Sequence, residues 1–245
     1  MLSSVSTGTR GRHCVISDRA GILRGVENAF DRPTLAYEQA MEGAERVKPR
    51  STPAGAFERA REFIRTGRRI DMVALATDLG VSRATLYRWT GDRERLLADA
   101  VWAEAHAIAD HMLERHRAQT GLARIQAVCV DFLAFFGNND GVNAFLQHER
   151  DTGLELLTWV NGGFRPRLTA WIRDHIQDEI DAGHYSAPED PELLADGIVT
   201  IAERFLHHGG DPDVSPDPTS AGRMIALLLR ESGDNSSRVT ARKTP

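Results

Sequence analysis

The sequence predicts an all-α protein, and three observations support that fold class. Apolar residues recur at helical spacing from Thr52 almost to the end of the chain. The alternation that is typical of strands is absent, and capping residues and glycines separate the periodic segments. With 245 residues, 41% of them hydrophobic, the chain can form one large domain or two modest ones. The hydrophobic period alone indicates about nine helices.

The first 50 residues differ in composition from the rest of the chain. They are rich in Gly, Ser, Thr and Arg and contain only short apolar patches. This composition predicts a mostly disordered tail over residues 1–50, with at best a weak helix near residues 34–46. Met41 is a plausible natural start for the segment that follows. We therefore hypothesise that translation begins there, and we expect that removing residues 1–40 leaves folding nearly intact.

Three short helices are predicted next, over residues 51–97. In the first helix, Thr52 is the capping residue, Pro53 takes the first helical position and Gly67 ends the helix. The segment IDMVALATDLG carries the second helix, and the third begins at Ser82. The sequence therefore predicts a compact N-terminal module of three helices.

A longer helical region is predicted over residues 98–232, followed by a flexible tail at 233–245. Asp92 caps a long amphipathic helix that leads into this region. Further helices are expected in the following segments: 122–138, 141–160, 163–183, 190–208 and 219–232. The proline-punctuated DPDVSPDP run forms the loop before the last helix.

Charge is distributed unevenly along the chain, although the formal net charge is only −5. Residues 48–97 contain 11 Lys/Arg against 6 Asp/Glu, whereas residues 98–245 contain 13 against 23. This asymmetry favours contact of the N-terminal module with a polyanion, although ion pairs within the fold could absorb much of the charge.

Cysteine content and hydropathy predict a soluble cytoplasmic protein with no membrane partner. Cys14 and Cys129 are too few for a disulfide framework. No apolar run approaches the roughly 20 residues that span a bilayer. The N-terminus has no apolar core of signal-peptide length.

The segment LGVS separates two short helices in the manner of a helix-turn-helix. Gly80 permits left-handed backbone, Val81 packs between the helices, and Ser82 caps the second helix. A helix of this kind fits the major groove of DNA, where base edges carry a readable code. Ala84 and Leu86 are predicted to face inward. A helical hairpin with a solvated charged face is the alternative interpretation.

The polar and aromatic residues of this module are candidates for contact with DNA. Arginine can bind guanine bidentately, threonine can contact a phosphate or a thymine methyl, and tyrosine or tryptophan can donate to a phosphate. The predicted DNA-binding residues are Arg50, Ser82, Arg83, Thr85, Tyr87, Arg88, Trp89 and Arg93.

The segment IDMVALATDLGVSRATLYRWTGDRERLL resembles the DNA-binding segment of the TetR-type repressors. In that family a Leu-Tyr-aromatic run precedes a basic residue and paired leucines, matched here by Leu86, Tyr87, Trp89, Arg93, Leu96 and Leu97. The resemblance covers residues 53–98 and beyond them rests on length and helical plan. Thr90 stands where the family usually has Phe, and Arg93 replaces the usual Lys. Together with FLAFFGNNDGVNAFLQHER, the segment resembles an actinobacterial subgroup linked to quorum-signal lactone degradation.

The resemblance implies a homodimeric repressor bound to a palindromic operator in double-stranded DNA. A small, largely apolar effector, with a lactone as one candidate, binds the C-terminal domain and spreads the two DNA-binding modules. An activator or a ligand-independent regulator of the same fold remains an alternative. An α-helical enzyme is a remote one, because the sequence has no Gly-x-Ser-x-Gly elbow, phosphate loop or dinucleotide fingerprint. No cofactor is expected.

Aromatic and histidine residues of the C-terminal region are candidates for the effector pocket, although such stripes more often form core. They are Trp102, His106, Phe132, Phe136, Phe145, His148, Glu149 and Trp159. The histidine spacing gives no zinc-like cluster, so no metal site is expected.

Two late helices carry apolar stripes that the family resemblance places in a dimer interface. The predicted interface residues are Leu194, Ile198, Ile201, Phe205, Met224, Leu227 and Leu228. Burial within one subunit is the alternative, because the two arrangements differ little in sequence.

Overall fold

A computed structural model describes residues 34–41, 51–137, 163–206 and 217–230, together with Gly141, Ala144, Phe145 and His148. All regular structure in these ranges is helical, which confirms the predicted fold class. The helices are α1 Leu35–Met41, α2 Pro53–Arg65, α3 Met72–Leu79, α4 Arg83–Thr90, α5 Arg93–Arg115, α6 Gly121–Gly137, α7 Phe164–Asp181, α8 Pro191–Leu206 and α9 Pro218–Leu228.

The predicted caps fix the ends of the N-terminal helices. The Thr52 side chain accepts a 3.1 Å hydrogen bond from the amide of Gly55 at the start of α2. The carboxylate of Asp92 accepts from the Arg95 amide at 2.8 Å at the start of α5. Each cap satisfies an amide that has no partner within its own helix, worth about 1 kcal/mol.

Helices α2, α3 and α4 form an N-terminal head that packs on the first turns of α5. The centre of the head consists of apolar side chains with no exposed surface, among them Phe57, Leu75, Leu86, Leu96 and Leu97. Burial of each such side chain contributes about 1.5–3 kcal/mol. These side chains belong to one hydrophobic core cluster that continues into the rest of the molecule, and α5 contributes to both parts.

The C-terminal domain is built on the second part of α5. Helices α6 and α7 pack on α5, α8 packs on α7, and α9 packs on both α6 and α8. Tyr185 donates a 2.7 Å hydrogen bond to the buried carbonyl of Leu229, which anchors the end of α9. No described helix is long and apolar enough to cross a membrane.

Ion pairs join the head to α5 along the outside of α2. Glu104 of α5 accepts hydrogen bonds from Arg61 at 2.6 Å and from Arg65 at 2.8 and 2.9 Å. Arg59 pairs with Asp78 of α3 at 2.8 Å. Part of the positive charge of the head is thus neutralised within the fold.

Helix α1 lies within residues 34–46, where the sequence predicted at best a weak helix, and it is more deeply buried than that prediction implied. Thr34 and Ala36 are 5% and 0% exposed, and α1 packs against α2 and α4. The sequence did not reveal this burial, because α1 is one short segment with few apolar residues and its burial depends on partners distant in the sequence.

Candidate DNA-binding surface

Helices α3 and α4 are joined by a tight turn that sets their crossing. Gly80 has φ 68° and ψ 31°, the left-handed conformation that was predicted for it. The Val81 amide donates to the carbonyl of Ala76 at 3.0 Å, and the Val81 side chain is partly buried against the core. Ser51 adds a 2.7 Å hydrogen bond to the carbonyl of Leu79, which fixes the end of α3 to the start of α2.

Side-chain caps begin both helices of the motif. The carboxylate of Asp71 accepts from the amides of Ala74 and Val73, and these hydrogen bonds lower its pKa. Ser82 accepts from the Thr85 amide at 3.1 Å, and the two hydroxyl oxygens lie 2.9 Å apart. Both hydroxyls therefore organise the first turn of α4, whatever further contact they make.

The outward face of α4 includes one residue that was predicted to face inward. Arg83, Tyr87 and Arg88 are exposed as expected, but Ala84 is exposed too. The inward assignment of Ala84 was wrong because α-helical residues share a face at spacings of three and four, not two. Leu86 is fully buried on the opposite face.

The buried side of α4 explains how the head tolerates threonine at position 90. Thr90 has no exposed surface, and its hydroxyl donates to the carbonyl of Leu86 at 3.0 Å. Trp89 is partly buried against the core rather than free on the surface. The pair therefore holds the corner between α4 and α5, and the role of Trp89 in packing was not anticipated.

Arg93 also has a structural contact that the sequence did not reveal. Its Nε donates a 2.7 Å hydrogen bond to the carbonyl of Ile70, just before α3. The side chain is half-buried. This bond fixes the start of the helix-turn-helix to the start of α5. Arg50, the remaining predicted DNA-binding residue, lies outside the described residues.

The head meets the C-terminal domain at the loop that follows α2. Gly67 has φ 65°, and a Cβ atom at this position would lie 2.6 Å from the Cβ of Ala144. Gly141 contributes its carbonyl to the same contact. Only glycine fits this close approach without displacement of one of the two segments.

The predicted effector residues divide into buried aromatics and accessible histidines. Trp102, Phe132, Phe136 and Phe145 are 2–8% exposed. The Trp102 ring lies 5.3 Å from that of His106 and 6.2 Å from that of Phe164, while Phe132 and Phe136 lie 4.9 Å apart.

The polar candidates are less enclosed. His106 lies 3.4 Å from the carboxylate of Asp110, and its side chain is one-third exposed. His148 is exposed, with its Nδ1 2.6 Å from the carbonyl of Ala144. Glu149 and Trp159 lie outside the described residues. Phe164, which sequence reasoning missed, joins the Trp102 cluster from α7.

The predicted dimer residues are only partly on the surface. Leu194 and Ile198 are 1% and 2% exposed within their own chain, so their side chains are not available to a partner. Ile201 and Leu228 are partly buried, and the side chain of Phe205 lies outside the described residues. Leu194 and Ile198 thus face the core of their own chain, because a core-facing stripe and an interface stripe have the same period.

Among the described side chains of α8 and α9, three large apolar ones are exposed. Met224 and Leu227 of α9 are 46% and 62% exposed, as the interface prediction requires. Leu193 of α8 is 60% exposed and was missed, since it lies one residue before the predicted stripe. We call these three residues the apolar face of α8 and α9.

The architecture defines a class of protein before any comparison is made. A helix-turn-helix head, carried by the first turns of a long helix whose remainder belongs to an all-helical domain, is the plan of a DNA-binding transcriptional regulator.

Comparisons with known proteins agree with this class. Residues 120–230 match the family model described as tetracyclin repressor-like, C-terminal domain. The structure of the R. erythropolis transcriptional repressor QsdR, from the TetR family, aligns with a TM-score of 0.62 and 25% sequence identity. That alignment covers 71% of this chain and 92% of the QsdR chain. None of the curated proteins compared with the chain matches it.

Over residues 120–230 the chain is similar to the C-terminal domain of the TetR family, and its fold is that of a TetR-family repressor. These similarities support a DNA-binding transcriptional regulator, the class that the architecture defines.

Proposed function

We propose that the chain is a homodimeric cytoplasmic repressor, which binds a palindromic operator and releases it when a small, largely apolar effector binds. The observation that carries the proposal is the exposed face of α4. Arg83 and Arg88 flank Ala84 and Tyr87 there, and no acidic side chain among the described residues pairs with either arginine. Because these cations are not neutralised by the fold, they are available to phosphates and base edges.

The position of each side chain along α4 assigns it a role in the groove. Arg83 lies in the first turn, the part of a recognition helix that contacts base edges, and can bind guanine bidentately. Ala84 is small enough for close approach and can contact a thymine methyl. Tyr87 and Arg88 lie one turn later, where they can donate to phosphates.

The test is the substitution Arg83→Ala in the full-length protein. We expect a loss of about 1–3 kcal/mol in specific affinity per half-site and relaxed preference at one base pair. Arg117→Ala is the matched control, because Arg117 is exposed just beyond the far end of α5. Binding to the wild-type operator is measured by fluorescence anisotropy. Equal affinity and unchanged base preference in Arg83→Ala would contradict the role of Arg83.

The apolar face of α8 and α9 supports the dimer. Leu193, Met224 and Leu227 each expose roughly half or more of their surface, and a partner that covered all three would remove this apolar surface from water. A second copy of the chain would cover them and place two heads on one operator. Leu227→Glu should give monomers by analytical ultracentrifugation, because each interface would bury two carboxylates. Val73→Glu, at an exposed apolar position of α3, should stay dimeric; monomeric wild type would refute the dimer.

The aromatic cluster around Trp102 supports an apolar effector. The rings of Trp102 and Phe164 form a buried apolar cluster, and the adjacent, partly exposed His106 has a polar group that can bond a carbonyl. A lactone combines an apolar part with a carbonyl, and the subgroup resemblance favours a lactone as the effector. We expect γ-lactones or acyl-homoserine lactones to release the wild-type protein from DNA. His106→Ala should weaken that response without changing operator affinity; an unchanged response would remove His106 from the site.

A further inference from the structure

Helix α1 lies against the head, where it packs on α2. Ala36 is fully buried, and the ring of Tyr37 packs edge-to-face on Phe57 of α2, with centroids 5.5 Å apart. Helix α1 also packs against α4. It is thus a fourth helical element of the head, additional to the three-helix module that the sequence predicted.

A buried hydrogen-bond network extends from α1 to α5. The hydroxyl of Thr34 donates to Oδ2 of Asp99 at 2.6 Å and accepts from the amide of Tyr37 at 3.3 Å. The Thr34 amide adds a 3.3 Å bond to the same carboxylate oxygen. Asp99 has no exposed surface, and its charge is therefore compensated by these donors and the cation described next.

That cation comes from the C-terminal domain. Nη2 of Arg167, on α7, donates to Oδ1 of Asp99 at 2.9 Å. The Arg167 guanidinium also lies over the ring of Tyr37, 5.5 Å from its centroid. Arg167 therefore contacts α5 and α1 together, and Asp99 divides its two oxygens between the C-terminal domain and the N-terminal helix.

The neighbouring arginine on α7 forms its ion pairs within the C-terminal domain, unlike Arg167. Arg165, two residues earlier, pairs with Asp196 at 2.5 Å and Glu203 at 2.6 Å, both on α8 of the same domain. Arg167 reaches the head instead. Its Nη1 is buried without a hydrogen-bond partner, so the guanidinium is only partly satisfied in this position.

We propose that Thr34, Tyr37, Asp99 and Arg167 form a latch that fixes the orientation of the DNA-binding head on the C-terminal domain. The latch joins α1, α5 and α7, so a shift of α7 relative to α5 opens it. In a dimer, the orientation of each head sets the distance between the two recognition helices. Thr34 and Arg167 are therefore positioning residues for operator binding, and this inference rests on the proposed function.

The latch predicts a dependence on half-site spacing, which a purely structural role would not alter. One inserted base pair moves a half-site by about 3.4 Å and rotates it by roughly one-tenth of a turn. We expect the wild type, with fixed heads, to lose affinity about tenfold on this insertion. With the latch open, the heads can reorient to the new half-site spacing. We then expect a loss of affinity of less than about threefold.

The experiment uses the full-length protein and the palindromic site that it selects from random DNA. Binding is measured on that site and on versions with one base pair inserted or removed between half-sites. Thr34→Val removes the hydroxyl at constant shape, and Arg167→Gln removes the charge. Arg165→Gln, on the same helix but paired within the C-terminal domain, is the matched control. Thermal unfolding of each variant tests whether it is folded.

The outcomes separate the latch from the proposed function. We expect Thr34→Val and Arg167→Gln to lose less affinity than the wild type when the half-site spacing changes, and to keep its base preference. Arg165→Gln should behave like the wild type. Folded variants with the wild-type spacing dependence, or with equal loss at every spacing, would overturn the latch. A wild type that selects no DNA would instead overturn the proposed function.

Truncation provides a second, independent test. Removal of residues 1–33 retains the latch and should leave the spacing dependence unchanged. Removal of residues 1–41 deletes α1 and should flatten it, together with a lower unfolding temperature. Equal spacing dependence in the two truncated proteins would overturn the latch. The point substitutions carry the test if the longer truncation does not fold.

Discussion

His175 on α7 should make the stability of the protein depend on pH. Its side chain is 6% exposed, and Nε2 has no hydrogen-bond partner. Burial, with a further contribution from the positive charge of Arg124, lowers the pKa of His175 from 6.5 to about 4, although Glu179 acts in the opposite direction. The folded state therefore holds a neutral imidazole at a pH where the unfolded chain already binds a proton.

The sign and size of the effect follow from this difference. A depressed pKa in the folded state gives stability that is present above the pKa of the unfolded chain and is lost as pH falls toward the folded value. Each pKa unit corresponds to about 1.4 kcal/mol. Protonation of His175 should therefore lower the free energy of unfolding by about 3 kcal/mol between pH 7 and about pH 4. For a domain of this size, that is a large share of the 5–15 kcal/mol typical of folded proteins.

Glu179 titrates in the same direction and must be separated from His175. Burial opposes its ionisation, but hydrogen bonds from the Gly121 amide and from Arg124 prevail and lower its pKa. Urea unfolding at several pH values is therefore compared between wild type and His175→Gln. The variant should lose about 3 kcal/mol less than the wild type over this range. His111→Gln, at an exposed site on α5, should follow the wild-type curve. Parallel curves for wild type and His175→Gln would refute the reasoning.

Three further predictions concern packing. Gly67→Ala should lower the unfolding free energy by about 1–3 kcal/mol more than Gly183→Ala in urea, because both glycines have positive φ but a Cβ atom meets a neighbour only at Gly67; equal losses would contradict the close contact. Burial raises the pKa of Cys129 to about 12, so a Cys14→Ser protein should react with Ellman's reagent only after unfolding; rapid reaction of the native protein would show that the thiol is accessible. Leu86→Ala should cost about 2–5 kcal/mol in thermal or urea unfolding, because its side chain is fully buried; a loss below about 1 kcal/mol would show that α4 does not depend on it.

The helix-turn-helix could be predicted from sequence because its signals are local. Gly80 allows the left-handed turn, Ser82 caps α4 and Asp92 caps α5, and each acts on residues only a few positions away. The family resemblance rested on the same segment. Fold class and regulator class were therefore accessible before the structure.

Errors of helical phase account for the misassigned surface residues. Ala84 was placed inward with Leu86, although the two are only two positions apart and lie on different faces of α4. Leu194 was predicted to lie in the interface, but it is buried, and the neighbouring Leu193 is exposed instead. A one-residue error rotates the assigned face by about 100°, which turns a core position into a surface position.

Long-range contacts account for what the sequence could not provide. Thr34 and Asp99 are separated by 65 residues, and neither has a local feature that identifies the other. Because α1 is buried against the head, the hypothesis that translation begins at Met41 would delete folded residues. We therefore limit the expectation that the N-terminal residues can be removed without loss of folding to residues 1–33.

The measurement that tests the central claim most directly is a footprint of the purified protein on DNA around its own gene. It is repeated with γ-lactones and with acyl-homoserine lactones. The account predicts a palindromic footprint that Arg83→Ala weakens and that a lactone releases. A footprint that no lactone disturbs would contradict the proposed effector. If the protein protects no specific site, even at protein concentrations high enough to saturate non-specific DNA, the DNA-binding surface itself would be contradicted.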